Sequence, residues 1–356
     1  MSKVANRDRR RFIAAAAMTI AAAGLGMIGH ALAQADFEGE APSLDGATAW
    51  LNSEPLTKAQ LRGKVVLFDF WTYSCINWRR TLPYVRAWAE RYRDRGLVVV
   101  GVHSPEFDFE RDIENVRQAT KAMMIDYPIA IDNNYAIWRA FNNEYWPAQY
   151  FADENGRIRH RKFGEGDYDQ SEMVIQRLLA EAGARAFDPG LAPIDATSFE
   201  LAADWFDLKS PETYLGYERT GNFASPGGAA FDRSRAYGLP SDLLLNHWAL
   251  GGDWTAKKQA IVLNAADGSI AYRFHARDLH LVMGPVSRGA SARFRVLIDG
   301  RAPGIARGTD VDDQGLGVVA EPRMYHLIRQ PKPIVDRQFE IQFLDPAVQA
   351  YSFTFG

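Results

Sequence analysis

The chain has 356 residues, with 41 basic and 44 acidic side chains giving a formal charge of −3 at pH 7. This balance argues against nucleic acid or an anionic membrane surface as the partner. A single cysteine, Cys75, excludes an internal disulfide framework, so stability must come from buried cores, and the length is enough for two of them.

The N-terminus reads as a targeting signal. Arg9, Arg10 and Arg11 followed by Phe12 and Ile13 fit a twin-arginine motif, the apolar stretch Ile13 to Ile28 is its core, and Ala31-Leu32-Ala33 ends it. The core is short and interrupted by Thr19, Gly24 and Gly26, which favours removal after Ala33 over retention as a membrane anchor. Removal takes away five basic residues (Lys3, Arg7, Arg9, Arg10, Arg11) and one acidic residue (Asp8), lowering the charge from −3 to −7. No later segment approaches about 18 consecutive apolar residues. The expectation is export to the periplasm, with no membrane insertion after signal cleavage.

From Lys64 to Gly183 apolar strands alternate with helical stretches. The run "KVVLFDF" precedes a helix over Asn77 to Arg95, and "LVVVGVH" precedes one over Glu110 to Met123. "YPIAID" follows, then a short helix at Tyr135 to Phe141, strands at Gln149 to Ala152 and Arg157 to Phe163, and a last helix from Ser171 to Ala182. Such alternation predicts a central sheet with helices on its faces. Asn155-Gly156 marks a hairpin turn, and the lead-in from Ala41 to Lys64 reads as a small hairpin. "FDPGLAPIDA" supplies two prolines and a glycine as a linker.

Beyond it the period becomes two. "RFRVLIDG", "FEIQFLD" and "YSFTFG" alternate apolar and polar residues, and Asp267-Gly268 is a turn between two further strands. The pattern predicts an α/β domain with a central sheet, followed by an all-β sandwich. The expected divisions are a signal peptide over 1–33, the first domain over 34–188 and the sandwich over 189–356.

The segments "WTYSCIN", "TLPYV", "VVGVHSPEF", "YAIWRAF", "YWPAQYF" and "DENGRIR" resemble the TlpA-like, redoxin-type thioredoxins. "SPETYLGYER", "NHWALGGDW", "RFHARDLHLVMGP", "RFRVLIDG" and "QFEIQFLDP" extend the likeness. They are similar to the carbohydrate-binding-module-like sandwich that follows the thioredoxin fold in the soluble periplasmic part of DipZ-type proteins. The resemblance implies an α/β thioredoxin fold followed by an all-β jelly-roll-like sandwich, thiol-disulfide oxidoreductase activity and no cofactor. It also implies a buried acid at Asp69 behind the site, a proline at Pro83 in the active-site helix, and a cis-proline at Pro147 facing the sulfur of Cys75. Two departures stand out. No counterpart of the membrane-embedded electron-transfer domain of DipZ-type proteins is expected, so electrons would come from an external thiol reductant or a membrane electron-transfer protein. Family members also carry C-x-x-C, where this chain has Cys75-Ile76-Asn77-Trp78.

Cys75 at a strand-to-helix junction is a candidate nucleophile, because a helix N-terminus stabilises a thiolate. Lowering its pKa from about 8.5 to about 7 would raise the thiolate fraction at pH 7 from roughly 3% to roughly 50%. Without a second thiol, an adduct on Cys75 awaits a thiol from outside, which makes the chemistry monothiol exchange with protein or small-molecule thiols and disulfides. The inert alternative is a buried structural cysteine in a degenerate scaffold that binds a protein or glycan through its sandwich. Asp69 either relays a proton to Cys75 or is simply held by hydrogen bonds.

Trp71, Tyr73, Asn77, Trp78 and Trp146 are candidate substrate contacts, with Trp71, Tyr73 and Trp146 forming an apolar lip; the alternative for the aromatic residues is core packing. Arg79 and Arg80 either add positive potential or are solvated. A copper site on Cys75 and His103 lacks the further soft ligands it needs, and no metal is expected. A peroxidatic P-x-x-x-T-x-x-C has its Thr at Thr72 but Phe68 in place of the proline. Trp248 and Trp254 either stack on sugars or pack in the sandwich core.

Overall fold

The computed structural model describes residues 39–184 and 190–356. The signal-like segment and the expected boundary at 188/189 lie outside the described residues.

The first part holds β1 (Ala49–Leu51), α1 (Lys58–Leu61), β2 (Val65–Trp71), α2 (Ile76–Tyr92), β3 (Leu97–His103), α3 (Ile113–Ala122), β4 (Ile129–Ile131), α4 (Ala136–Ala140), β5 (Ala148–Ala152), β6 (Ile158–Phe163) and α5 (Tyr168–Glu181). The sheet order is β1-β4-β3-β2-β5-β6. β2 runs parallel to β3, and β3 parallel to β4, while β5 and β6 close the sheet antiparallel. Central β2 is buried along its whole length, as its unbroken apolar run demands. α2 buries Trp78, Leu82, Val85, Ala89 and Tyr92, a stripe at helical spacing that packs on one face of the sheet.

The β5–β6 hairpin forms as expected, with Gly156 at φ 77° and the Asp153 carboxylate accepting the Asn155 and Arg157 N–H groups. The lead-in does not make a hairpin. Its one strand, β1, pairs antiparallel with β4, and the polar stretch that follows forms α1 behind a capping box at Thr57 and Gln60.

The second part is antiparallel. It contains β7 (Thr213–Tyr214), β8 (Ser234–Tyr237), β9 (Trp248–Ala256), β10 (Ile261–Leu263), β11 (Gly268–Phe274) and β12 (Asp278–Pro285). β13 (Ala292–Ile298), β14 (Leu316–Val319), β15 (Arg323–Arg329), β16 (Arg337–Phe343) and β17 (Val348–Phe355) complete it. The main path is β14-β13-β16-β11-β9-β10-β17-β12-β15.

β9 is the corner of the sandwich. Its first half pairs with β11 and its second half with β10. The switch falls at Gly251-Gly252, where Gly252 has φ +89° and a Cβ would come within 2.9 Å of the Gly268 backbone. The Asp267 turn therefore does not close a hairpin: β10 and β11 each pair with β9, and the turn carries the chain between layers. Trp248 and Trp254 sit in the core with their indole N–H groups on the Gly221 and Gly251 carbonyls, so neither offers a face to a sugar.

The two parts share a small apolar cluster. Ile76 and Phe107 from the first are buried with Ala260, Val282, Met324 and Tyr351 from the second. Polar contacts flank it: Arg80 of α2 pairs with Glu165 at 3.1 Å and donates to the carbonyl of Phe355 in β17 at 3.2 Å. Arg80 is thus a buried tie between the domains rather than a solvated charge, while Arg79 lies over the Phe199 ring at 4.9 Å.

Arg80 and Glu165 are both nearly inaccessible, at 2% and 7% side-chain exposure, so losing one partner strands the other. Arg80→Met should cost about 3–5 kcal/mol in denaturant unfolding, and Arg80→Met with Glu165→Leu should recover most of it. A loss below about 1 kcal/mol would mean that water screens the pair.

Candidate active site

The site lies where β2 ends and α2 begins. Cys75 is the N-cap of α2, half-buried, with Sγ 3.9 Å from the carbonyl oxygen of Trp146. The Trp146-Pro147 bond is cis. The loop before the thiol is fixed by Glu110, a fully buried carboxylate. Its Oε1 accepts from the Ser74 hydroxyl at 2.6 Å, and its Oε2 from the backbone N–H groups of Glu106 and Phe107 at 2.6 and 2.9 Å. Burial pushes the Glu110 carboxyl up, and these donors offset part of the rise.

The thiol itself is pushed well above its ordinary range. Burial is the largest cause and the charge of Glu106 adds to it; the N–H of Trp78 opposes the rise, Glu212 adds to it, and the N–H of Asn77 opposes it. The helix terminus was expected to lower this pKa. Protein atoms crowd around the half-buried sulfur, and this crowding outweighs the helix terminus, while contact with cleft water moderates the rise.

Position 78, one helical turn on, is filled by an indole. Trp78 is fully buried, stacks on Trp71 at 4.3 Å between ring centroids, and donates its Nε1–H to Oδ2 of Asp69 at 2.8 Å. Gln149 approaches the other oxygen at 3.4 Å. Burial raises the Asp69 pKa to about 7, with the bonds from Trp78 and Gln149 holding it down in part. Burial drives His103, packed against Trp71 and Tyr73, down to about 3, so it is neutral. No group of three or more His, Cys, Asp or Glu side chains among the described residues could hold a metal ion.

Cys75 opens into a cleft of about 470 Å³ between the two parts of the chain. Asn77, Arg80, Glu106 and Trp146 line it from the first part, and Glu212 and Tyr214 from the second. Glu106 receives the Tyr214 hydroxyl at 2.7 Å and pairs with Arg219 at 2.9 Å, so the wall itself joins the domains. Glu212 meets solvent at the cleft mouth while its carboxyl stands among crowded protein atoms. Burial and the neighbouring Glu106 push its pKa up, and contact with water moderates the effect.

Residues 36–161 match the AhpC/TSA family, and residues 210–356 match the thioredoxin-like C-terminal domain. The thiol-disulfide oxidoreductase YkuV of Bacillus subtilis is 37% identical over 141 residues, covering 39% of this chain and 94% of YkuV. The chain belongs to the thioredoxin-fold AhpC/TSA, or redoxin, family. Protein DipZ of Mycobacterium bovis is 36% identical over 331 residues, which is 91% of this chain but 44% of DipZ. The chain thus spans less than half the length of that relative. A solved thioredoxin-like protein in its oxidised form is 36% identical, covering 40% of this chain and 97% of its own, with a TM-score of 0.38.

Within this redoxin frame the structure sorts the candidate residues. Cys75, Pro147 and the backbone of Trp146 come together, and Asn77 is exposed at the cleft. Asp69 lies behind Trp78, bonded to it. Trp71, Tyr73 and Trp78 are at most 2% exposed, so they pack the core and cannot form an apolar lip for a substrate. Trp146 is half-buried and packs on Trp138 at 4.4 Å. Glu106, Glu110, Glu212, Tyr214 and Arg219 join the site only in the fold, although "HSPEF" and "SPETYLGYER" contain four of them. Nothing in local spacing says that these two segments meet.

The Asp69 shift has a stability consequence. The folded chain keeps a proton on Asp69 that the unfolded chain releases near its ordinary value of 3.8, up to about pH 7. Asp69's contribution is therefore full below about pH 4 and is lost progressively as pH rises to about 7. Asp69→Asn, which can still accept from Trp78, should gain on the wild type across this window by an amount on the order of a few kcal/mol, measured by urea unfolding at successive pH values. Parallel curves would show that Asp69 is ionised in the native state throughout.

Proposed function

We propose that the chain acts by monothiol exchange at Cys75, as an exported thioredoxin-like protein of the periplasm. The observation that carries this reading is a half-buried thiol that opens into a cleft at the N-terminus of α2, with an indole in the position of the resolving thiol. A thiolate at Cys75 attacks a disulfide sulfur, the mixed disulfide forms, and the other half leaves as a thiol. An external thiol then releases the adduct. Asp69, the buried acid behind the site, carries no thiol to resolve this adduct, and its carboxyl is bonded to Trp78. The raised thiol pKa makes the step slow at neutral pH and faster as pH rises. We further propose that the thioredoxin-like domain ends near residue 188. The substrates are thiols and disulfides, and the reductant is another protein or a small thiol.

Native wild-type protein should accumulate a single adduct on Cys75 with small disulfides, read by intact mass, with a rate that climbs about tenfold per pH unit to beyond pH 8.5. Trp78→Cys should convert the site to a reducible C-x-x-C at a stability cost of about 3–5 kcal/mol, because it removes a buried indole and one donor to Asp69. Folded wild type that forms no adduct would falsify exchange. It would favour the second reading, a degenerate scaffold that binds a protein or glycan, to which the raised thiol pKa already lends weight.

The N-terminal arginines support the export route. Replacing Arg9 and Arg10 by Lys should leave uncleaved precursor in the cytoplasm, checked by fractionation. Normal periplasmic accumulation of that variant would remove the twin-arginine assignment. Among the described residues no helix is long and apolar enough to cross a membrane.

A further inference from the structure

The cleft at Cys75 has a chemical character of its own. Tyr145, Trp146 and Trp205 give it an aromatic side, with Tyr145 and Trp205 exposed at 51% and 61%. Its charged groups do not cancel. Both arginines are engaged: Arg80 with Glu165 and the Phe355 carbonyl, and Arg219 with Glu106 while lying 3.6 Å from the Tyr214 ring centroid. Glu144 and Glu212 line the same cleft; among the described residues neither closes an ion pair, although Tyr214 bonds to Glu212 and the Arg219 charge reaches it. A further polar atom is left over at its wall. Thr354 of β17 is 4% exposed, lines the cleft, and has no hydrogen-bond partner for its Oγ1.

Glu144, together with Glu212 once a bound cation draws its raised carboxyl into the ionised form, lies beside aromatic faces and favours a positive charge, through Coulomb attraction and through the ring quadrupoles. The volume of about 470 Å³ is that of a small-molecule site. We propose, resting on the exchange reading above, that the cleft selects small disulfides bearing an ammonium group. The ammonium group sits between Glu144, Glu212 and the aromatic side while the disulfide meets Cys75. Thr354 Oγ1 offers a hydrogen bond to the ligand. The step balances as Cys75–SH + RS–SR giving Cys75–S–SR + RSH: one S–S bond breaks and one forms, and the proton released by Cys75 ends on the leaving thiolate.

The test uses the full mature chain and three probes: cystamine, bis(2-hydroxyethyl) disulfide and 3,3′-dithiodipropionate, which are cationic, neutral and anionic. Rates of Cys75 adduct formation are read by intact mass, and each is divided by the rate of N-acetylcysteine amide with the same probe at the same pH. The normalised rate for cystamine should exceed that of the neutral probe roughly tenfold, with the anionic probe slowest, and the spread should shrink as salt is raised. Glu144→Gln with Glu212→Gln should lower the cationic-to-neutral ratio at least about threefold, whereas Asp94→Asn, on the exposed turn after α2, should leave it unchanged. Adducts that form at equal normalised rates, or fastest with the anionic probe, would overturn the charge selection and leave exchange standing. Absence of adducts with all three probes overturns both.

Discussion

The covering of one helix terminus governs the chemistry of this molecule. Ile76, the residue after the thiol, is buried in an apolar cluster with Phe107 on one side and Val282, Met324 and Tyr351 on the other. Each such side chain contributes about 1.5–3 kcal/mol when fully buried. This contact holds the sandwich against the edge of the thioredoxin fold where the nucleophile stands, and it turns an open strand-to-helix junction into a cleft. From that one constraint follow the partial loss of water around Cys75, the approach of Glu106 and Glu212, and the upward push on the thiol. A helix N-terminus favours the thiolate by a modest amount, and desolvation together with two nearby carboxylates outweighs it.

Two buried acids beside the site show how differently a protein can hold a carboxyl group. Glu110 is surrounded by donors, from Ser74, Glu106 and Phe107, and its task is to pin the loop that carries the thiol to the loop that carries Glu106. Asp69 has the Trp78 indole and a long contact from Gln149. With fewer donors its ionised form is poorly stabilised, and it keeps its proton to about pH 7. Trp78 is therefore more than a missing cysteine. It fills the volume against Trp71, and its N–H occupies the acid that would otherwise be open to a second thiol.

Much of the fold was legible in the residues. The unbroken apolar run of β2 marked a central strand, the stripe from Trp78 to Tyr92 marked a helix on its face, and Asn155-Gly156 marked a hairpin, because each depends on local period or backbone freedom. The lead-in makes no hairpin because a three-residue strand, Ala49–Leu51, takes its partner β4 from some 80 positions away. Gly251-Gly252 gave no sign that β9 would serve two layers, since a corner is defined by which strands arrive on either side. The aromatic residues around the site could be read as surface or core, and only burial separated Trp71, Tyr73 and Trp78 from Trp146.

By itself the sequence determined the family, the two successive architectures, the position of the single thiol at a helix start and the indole at the place of its resolving partner. Those features are carried by residue identity and by spacing along one segment. The tertiary structure decided the state of the thiol, the partner of Asp69, and the burial of Arg80 between the domains. It also decided the composition of a cleft whose walls come from residues more than a hundred positions apart. Desolvation and Coulomb terms depend on what surrounds a group in space, and nothing in the neighbouring letters of Cys75 records that Glu212 and Tyr214 would stand across from it.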